Sequence, residues 1–279
     1  AGLLGSLAAL CVRIPVRVYT VRGFRWETVA GLKRRLLMLC ERAGCLFAHQ
    51  VFFVSYSLLS IAVAKRIVRP EKAAVLRRGS GNGVNCRRFK PGAVSPNRIR
   101  GALGLDHRQV VIGFVGRIVR DKGIIELTAA WRVVRQAFKN THLLLVGPLE
   151  TEDSIPEEVL RELKTDARVH FTGRVSDTLP YYSAMDILVL PTLREGFPNV
   201  LLEAAAVELP VVATAVTGCV DAVVHGVTGF LVPPRNSAAL EDAILKLIRD
   251  PVLRRNMGRA ARERALREFQ PESIWHALL

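Results

Sequence analysis

The sequence predicts an α/β protein built on parallel sheets, and three observations predict it. Short runs rich in β-branched and aliphatic residues alternate with helical stretches along the whole chain. From residue 110 onward those runs are almost wholly apolar, as strands covered by helices on both faces must be. Loops bearing glycine and charge follow several of them, where a doubly wound domain places its ligands.

In order along the chain, the apolar run 1–12 reads as a buried helix leading into a strand at 16–21. Residues 28–45 read as a basic amphipathic helix, 51–55 as a strand, 58–67 as a helix and 73–77 as a strand. Gly79-Ser80-Gly81-Asn82-Gly83 breaks all periodicity, and the basic stretch 87–100, with Pro91 and Pro96, reads as a linker. A more regular series follows. Its strands are expected at 110–115, 143–146, 169–172, 187–190 and 211–215, and its helices near 123–138, 156–164, 177–184 and 199–207. Three more helices are expected at 237–249, 251–269 and 271–279. The expected division is a partial first domain over 1–90, a linker to about 105 and a complete second domain over 106–279.

The chain has 279 residues, half of them hydrophobic, enough for full cores and unlike collagenous or disordered chains. Five cysteines with no Cys-x-x-Cys pair argue against a disulfide framework or a zinc site and suit a reducing cytosol. The six histidines have no metal-ligand spacing, and His142 and His225 read as structural. The opening apolar run is too short to span a bilayer. It also lacks the basic region and cleavage pattern of a signal peptide.

The formal charge of +15 is unevenly placed. Residues 1–100 hold 19 Lys/Arg against 3 Asp/Glu, and the remainder holds 21 against 22. Such a field attracts phospholipid headgroups, phosphorylated lipids or nucleic acid, unless it is only a solvated face. Trp26, Trp131 and Trp275 are scattered and no nucleic-acid motif accompanies the charge, so no nucleic-acid partner is expected.

Three loops carry chemistry. After the strand at 110–115 comes Gly116-Arg117-Ile118-Val119-Arg120-Asp121-Lys122-Gly123. Gly116 permits a sharp turn, and two cations, Arg117 and Lys122, beside a helix N-terminus suit a diphosphate. After the strand at 187–190 comes Pro191-Thr192-Leu193-Arg194-Glu195-Gly196-Phe197-Pro198-Asn199, with Glu203 further on in an apolar helix. Gly196 and Phe197 would offer free N–H groups to an anionic or hydroxyl-rich ligand, with Pro198 in the first helical turn. A buried Glu203 needs donors, which ribose hydroxyls could supply. The plainer alternatives are a helix-capping Glu195 and a salt-bridged Glu203. The third loop, Gly173-Arg174-Val175-Ser176-Asp177, offers Ser176 or Asp177 as helix caps and Arg174 as a phosphate or base contact.

Residues 110–234 resemble the donor-binding domain of glycosyltransferase family 4, retaining nucleotide-sugar enzymes of the GT-B fold. The resemblance rests on Gly116-Arg117 with Lys122-Gly123, and on Glu195-Gly196-Phe197-Pro198 with Glu203 eight positions after Glu195. Thr217-Gly218-Cys219-Val220-Asp221 and the stretch 226–233 are similar to the family's closing glycine turns, with Asp221 where glutamate is more usual. The resemblance implies two Rossmann-like domains, the first incomplete. It implies that Arg117 and Lys122 hold the donor diphosphate, with Gly116 turning the loop, and that Glu195 is catalytic and contacts the transferred sugar. Gly196, Phe197, Pro198 and Asn199 would seat that sugar and its phosphate, and Glu203 would bind the ribose.

The first hundred residues resemble acceptor domains of members that build capsule, lipopolysaccharide or other lipid-linked glycans. The matching stretches are Arg17-Val18-Tyr19-Thr20-Val21, Glu41-Arg42, Val54-Ser55 and Gly79-Ser80-Gly81-Asn82-Gly83-Val84. Arg22-Gly23 stands where the family commonly has His-Gly, and Asn85 where Asp is usual. The acceptor domain's opening strand and glycine loop have no counterpart, so the chain reads as starting inside a domain. The implied function is transfer from a nucleotide sugar to a glycan or polyprenyl-phosphate-linked acceptor, with retention and without a metal or other cofactor. The implied setting is cytoplasmic, peripheral at the inner membrane face, with an anionic membrane surface as a partner. Two alternatives are a non-catalytic nucleotide-sugar-binding fragment and a related phosphorylase or epimerase. A phosphorylase would need a pyridoxal-phosphate lysine, and Lys122, Lys139, Lys164 and Lys246 stand in no such motif.

Overall fold

The computed structural model describes residues 2–277. Two parallel sheets organise it. The smaller has three strands in sequence order, β1 (Val18–Val21), β2 (Gln50–Phe53) and β3 (Ala73–Val75). Around it lie α1 (Gly2–Cys11), α2 (Gly31–Phe47) and α3 (Tyr56–Ala64). Its core is Val21, Phe24, Trp26, Val51, Phe53 and Leu58 with their neighbours. Between β1 and α2 a short 3-10 turn, Arg25–Thr28, is pinned by Phe24 and Trp26. Both rings are buried and stacked with centroids 4.8 Å apart.

A helix does form at the opening run, but it is not buried. No residue of α1 is enclosed, and Leu4 is 71% exposed. The helix lies across α2 and Tyr19, so its apolar character is only half used: a Cβ at Gly2 would already touch the Tyr19 ring, while its outer face meets solvent. The expected linker over 87–100 is also more than a tether. It ends in α4 (Asn97–Ala102), whose Arg100 is buried and donates to the carbonyls of Ala184, Asp106 and Gln109 and to Asp186 at 2.7 Å. Asp186 in turn accepts from the Val111 N–H, so this pair fixes the entrance of the second sheet.

The larger sheet has six parallel strands in the order β6-β5-β4-β7-β8-β9. These are β4 (Val110–Val115), β5 (Thr141–Val146), β6 (Val169–Phe171), β7 (Ile187–Leu190), β8 (Val211–Thr214) and β9 (Gly229–Val232). The last is a strand where sequence suggested only a glycine turn. The helices are α5 (Ile124–Ala137), α6 (Glu157–Thr165), α7 (Leu179–Ala184), α8 (Asn199–Ala206), α9 (Cys219–Ala222), α10 (Ser237–Arg249), α11 (Pro251–Glu268) and α12 (Pro271–Trp275). Residues 278 and 279 of the helix expected at 271–279 lie outside the described residues. β4, β5, β7 and β8 are buried almost throughout, which is why each reads as an uninterrupted apolar run. Strand order reverses between β4 and β7, so the crevice beyond their carboxyl ends is the expected ligand position. The two expected loops, after 115 and after 190, flank that switch.

The chain crosses between the two sheets twice. The segment 76–84 leaves the smaller sheet, and α12 returns beside it. The Val84 N–H donates to the Phe269 carbonyl at 2.8 Å and Arg77 Nε to that of Ser273 at 3.2 Å.

Removing Arg100 would leave Asp186 without its cation and three carbonyls without the guanidinium that donates to them. We expect Arg100→Ala to cost roughly 3 kcal/mol in urea unfolding, and Arg161→Ala, from a fully solvated pair with Glu157, less than about 0.5 kcal/mol.

Candidate functional site

The loop after β4 and the loop after β7 are joined backbone to backbone. Gly123, at φ 72°, closes the first loop, and a Cβ there would lie 1.9 Å from the Pro191 carbonyl oxygen. The Asp121 carbonyl accepts from the Leu193 N–H at 2.8 Å and from Thr192 Oγ1 at 3.1 Å, and its carboxylate pairs with Arg194 at 2.7 Å. Sequence reading quoted Asp121 and Arg194 within these loops and gave neither a role. They are the strut that holds the loops in register.

That strut brings Lys122 and Glu195 into direct contact, Nζ to Oε1, both largely shielded from solvent. Glu195 is therefore paired and caps no helix. Arg117 faces the same crevice from the far end of its loop, half exposed, and pairs with Glu150 at 2.9 Å. Beside them begins α8, with Pro198 just ahead of its first turn and not inside it. Among the described residues the N–H groups of Gly196, Phe197 and Asn199 donate to no protein acceptor.

Glu203 lies one turn into α8, without a salt bridge among the described residues. Oε2 accepts from Tyr182 at 2.9 Å and from Thr178 at 3.5 Å, while Oε1 has no protein partner among the described residues. Burial raises its pKa, opposed by those two hydrogen bonds. Arg174 is not brought to this cluster. It lines a separate exposed depression with Arg98 and Tyr181, while Asp177 accepts from the Leu179 N–H at the start of α7 and pairs with Arg88.

The smaller sheet closes the crevice from the other side. A pocket of about 200 Å³ is lined by Arg22, Gly23, Phe24 and Glu27 from that side, and by Arg117, Asp121, Lys122, Arg194, Glu195 and Gly196 from the loops. Gly196 is indispensable to the closure: a Cβ there would lie 1.8 Å from the Arg22 carbonyl oxygen. Further along, Asp221 reaches the N-terminus of α3. Its carboxylate accepts from the N–H groups of Tyr56 at 3.0 Å and Ser57 at 3.2 Å and from the Ser57 hydroxyl, while the Gly218 N–H donates to Ser57 Oγ at 2.9 Å. The departure from glutamate at 221 thus sits in a clamp between the two halves. Among the described residues no group of three or more His, Cys, Asp or Glu is placed to hold a metal ion.

A family model described as glycosyl transferases group 1 matches residues 109–250, just over half the chain and all of the loops above. The chain belongs to the group 1 glycosyl transferases. It is 39% identical over its whole length, and over 73% of the relative's, to the capsular polysaccharide biosynthesis glycosyltransferase CapM of Staphylococcus aureus. It is 27% identical, over 94% of its own length and 69% of the relative's, to N,N'-diacetylbacillosaminyl-diphospho-undecaprenol alpha-1,3-N-acetylgalactosaminyltransferase of Campylobacter jejuni. Among solved structures it superposes on sucrose-phosphate synthase of Thermosynechococcus elongatus at TM-score 0.81 and 28% identity, covering 99% of this chain and 69% of that one. It superposes on Anabaena HepE in complex with UDP at TM-score 0.83 and 23% identity, covering 99% and 74%. This group 1 glycosyltransferase therefore has the GT-B architecture, with the loops after β4 and β7 at the switch point of the larger sheet.

Gly196→Ala should force Arg22 away and open the crevice. Small-angle scattering should report a larger radius of gyration, and transfer should fall about a hundred-fold, as for a roughly 1 Å misplacement of reacting groups.

Proposed function

We propose that this glycosyltransferase moves a sugar from a nucleoside diphosphate donor to a lipid-linked glycan acceptor, with retention and without a metal. The observation that carries the reading is the Lys122–Glu195 pair, with Arg117 across the pocket and unused amides at the start of α8. In this reading Arg117 and Lys122 offset the charge that develops on the departing diphosphate. Gly116 turns the loop that carries them. The amides of Gly196, Phe197 and Asn199 seat phosphate and sugar oxygens behind Pro198, with Glu195 against the transferred sugar. The free Oε1 of Glu203 takes the ribose hydroxyls, and Tyr182 and Thr178 orient it. UDP in the HepE complex and the undecaprenol-linked chemistry of the Campylobacter jejuni relative support the donor and acceptor classes. A base contact from Arg174 would need its loop to move toward the cluster.

Calorimetry in EDTA against nucleoside diphosphates tests the roles. Lys122→Ala should weaken binding about ten- to a hundred-fold, the worth of one charge-assisted hydrogen bond. Glu203→Gln should weaken nucleoside and diphosphate alike. Glu195→Gln should spare plain diphosphate and harm only sugar-bearing donors or transfer. Equal losses for both glutamates would contradict these roles, and tight binding without transfer would leave a binding fragment.

The acceptor side also suits an anionic membrane surface. No helix among the described residues is long and apolar enough to cross a bilayer. Along α2, however, Leu32, Leu36, Leu39 and Leu46 face solvent at 82%, 59%, 61% and 62% exposure, at spacings that share one helical stripe. Exposed Lys33, Arg34, Arg35 and Arg42 flank it. An apolar stripe bordered by cations is the pattern of an interfacial helix, with about 1 kcal/mol available per basic residue near anionic lipid. Co-sedimentation with anionic liposomes should exceed that with neutral ones and weaken with salt, and Leu36→Asp with Leu39→Asp should abolish it. Equal binding to both lipids would leave the charge as surface decoration.

A further inference from the structure

We propose that a cavity between the carboxyl ends of α2 and α3 holds the phosphate headgroup of an anionic glycerophospholipid, gripped by Arg42, Arg66 and Arg69. The inference rests on the membrane reading of α2 above and names the lipid group that this face selects.

The cavity has a volume of about 560 Å³, against about 200 Å³ for the pocket between the halves. It opens beside the starts of β2 and β3, at the end of the smaller sheet away from that pocket, and shares no residue with it. Four cations line it, Arg42, Arg66, Arg69 and Lys72, and no acid does. Lys72 is already committed. Its Nζ donates to the carbonyls of Ala48 at 2.9 Å and Leu46 at 3.2 Å, which ties off the end of α2. The guanidinium groups of the other three have no hydrogen bond or ion pair among the described residues. Planar forks of this kind match phosphate oxygens two at a time, so three around one cavity favour a phosphate over other anions.

Between the cations the wall is apolar. Cys45, Ile67 and Val68 are buried in it, and Val63 and Leu46 stand at its edge. Burial pushes the Cys45 thiol up to about 12, so the floor carries no charge near neutral pH. A free phosphate has no use for such a floor, whereas the glycerol and first methylenes of a lipid would cover it. The cavity is also continuous with the stripe on α2, because Arg42 and Leu46 belong to both. A lipid lying against the exposed leucines therefore brings its phosphate to the mouth of the cavity.

Arg66 stands where the backbone asks for glycine. Helix α3 ends with the Ile67 N–H on the Ala62 carbonyl at 2.8 Å and the Arg66 N–H on that of Val63 at 2.9 Å, the two bonds of a cap that glycine usually closes. Arg66 consequently sits at φ 55°, in the left-handed region that side chains disfavour. What the turn loses by carrying a side chain there, the cavity gains as a guanidinium.

The test is calorimetry on the full chain with dihexanoyl phosphatidylglycerol below its micelle concentration, against dihexanoyl phosphatidylcholine and inorganic phosphate. The glycerol lipid should bind. The choline lipid, whose own cation meets three guanidinium groups, should bind at least about ten-fold more weakly, and so should inorganic phosphate, which lacks the methylenes. Arg69→Ala and Arg66→Gly should each weaken the glycerol lipid about ten-fold, as for one lost charge-assisted hydrogen bond. Arg66→Gly should still melt near the wild-type temperature, because glycine suits the cap, so its loss of binding cannot be a loss of fold. No binding of the glycerol lipid would overturn the proposal, as would undiminished affinity in both variants or equal affinity for inorganic phosphate. Vesicles of phosphatidylcholine, alone or mixed equally with phosphatidylglycerol, keep the two readings apart. Equal sedimentation with both vesicles, while the short glycerol lipid still binds, would overturn the membrane reading and support the cavity site. Sedimentation that favours the mixed vesicles, in a chain that does not bind the short lipid, would overturn the cavity site alone.

Discussion

A Cβ at position 196 would lie 1.8 Å from the carbonyl oxygen of Arg22, and one at 123 would lie 1.9 Å from that of Pro191. The rest of the site depends on these two places where main chain meets main chain with no side chain between. The first sets the distance between the halves of the molecule, and the second sets the distance between the loops after β4 and β7. A Cβ at Gly218 would likewise come within 2.3 Å of the Gly196 carbonyl, so a third backbone approach backs the first. Contacts of this kind are short and stiff. They explain how a pocket of only about 200 Å³ can be lined by seven ionisable side chains, five of which keep distinct ionic partners.

The charges show the same economy. Lys122 and Arg194 each hold a carboxylate inside the pocket, and Arg117 holds Glu150 at its rim. These pairs let several desolvated charges share a small space, which isolated ions could not do. Glu27 lies outside this pairing, and burial shifts it toward its neutral form. The large positive excess of residues 1–100 is elsewhere, on exposed faces such as that of α2.

The strands at 110–115 and 187–190 were legible to the residue because burial on both faces leaves an unbroken apolar run. The loops after them were legible because glycine and charge follow such runs directly. β9 was missed because Gly229 opens a strand of only four residues among turn signals. The misreading of α1 has a different cause: hydrophobicity reports what a segment could bury, not what covers it. Arg100 and Asp221 act on partners 86 and 164 residues away, a separation at which a single sequence carries no local signal. Glu27 did leave a trace. It is one of three acids among the first hundred residues, against nineteen bases. Glu41, another of them, is also committed, accepting from Tyr19 at 2.9 Å.

The paired crossings at 76–84 and at the start of α12 bear on how the molecule can move. One connecting strand would let the halves swivel freely. Two that lie side by side, laced by the Val84–Phe269 hydrogen bond, act as the spine of a book. Rotation about the line joining them is resisted least, whereas twist and slide would stretch one crossing against the other. The Asp221–Ser57 clamp and the Gly196 contact then behave as a clasp, which engages only when the covers meet in a single register. Any opening of the crevice would thus be a nearly one-dimensional motion, and closing would return the smaller sheet's side of the pocket to the same place opposite Lys122.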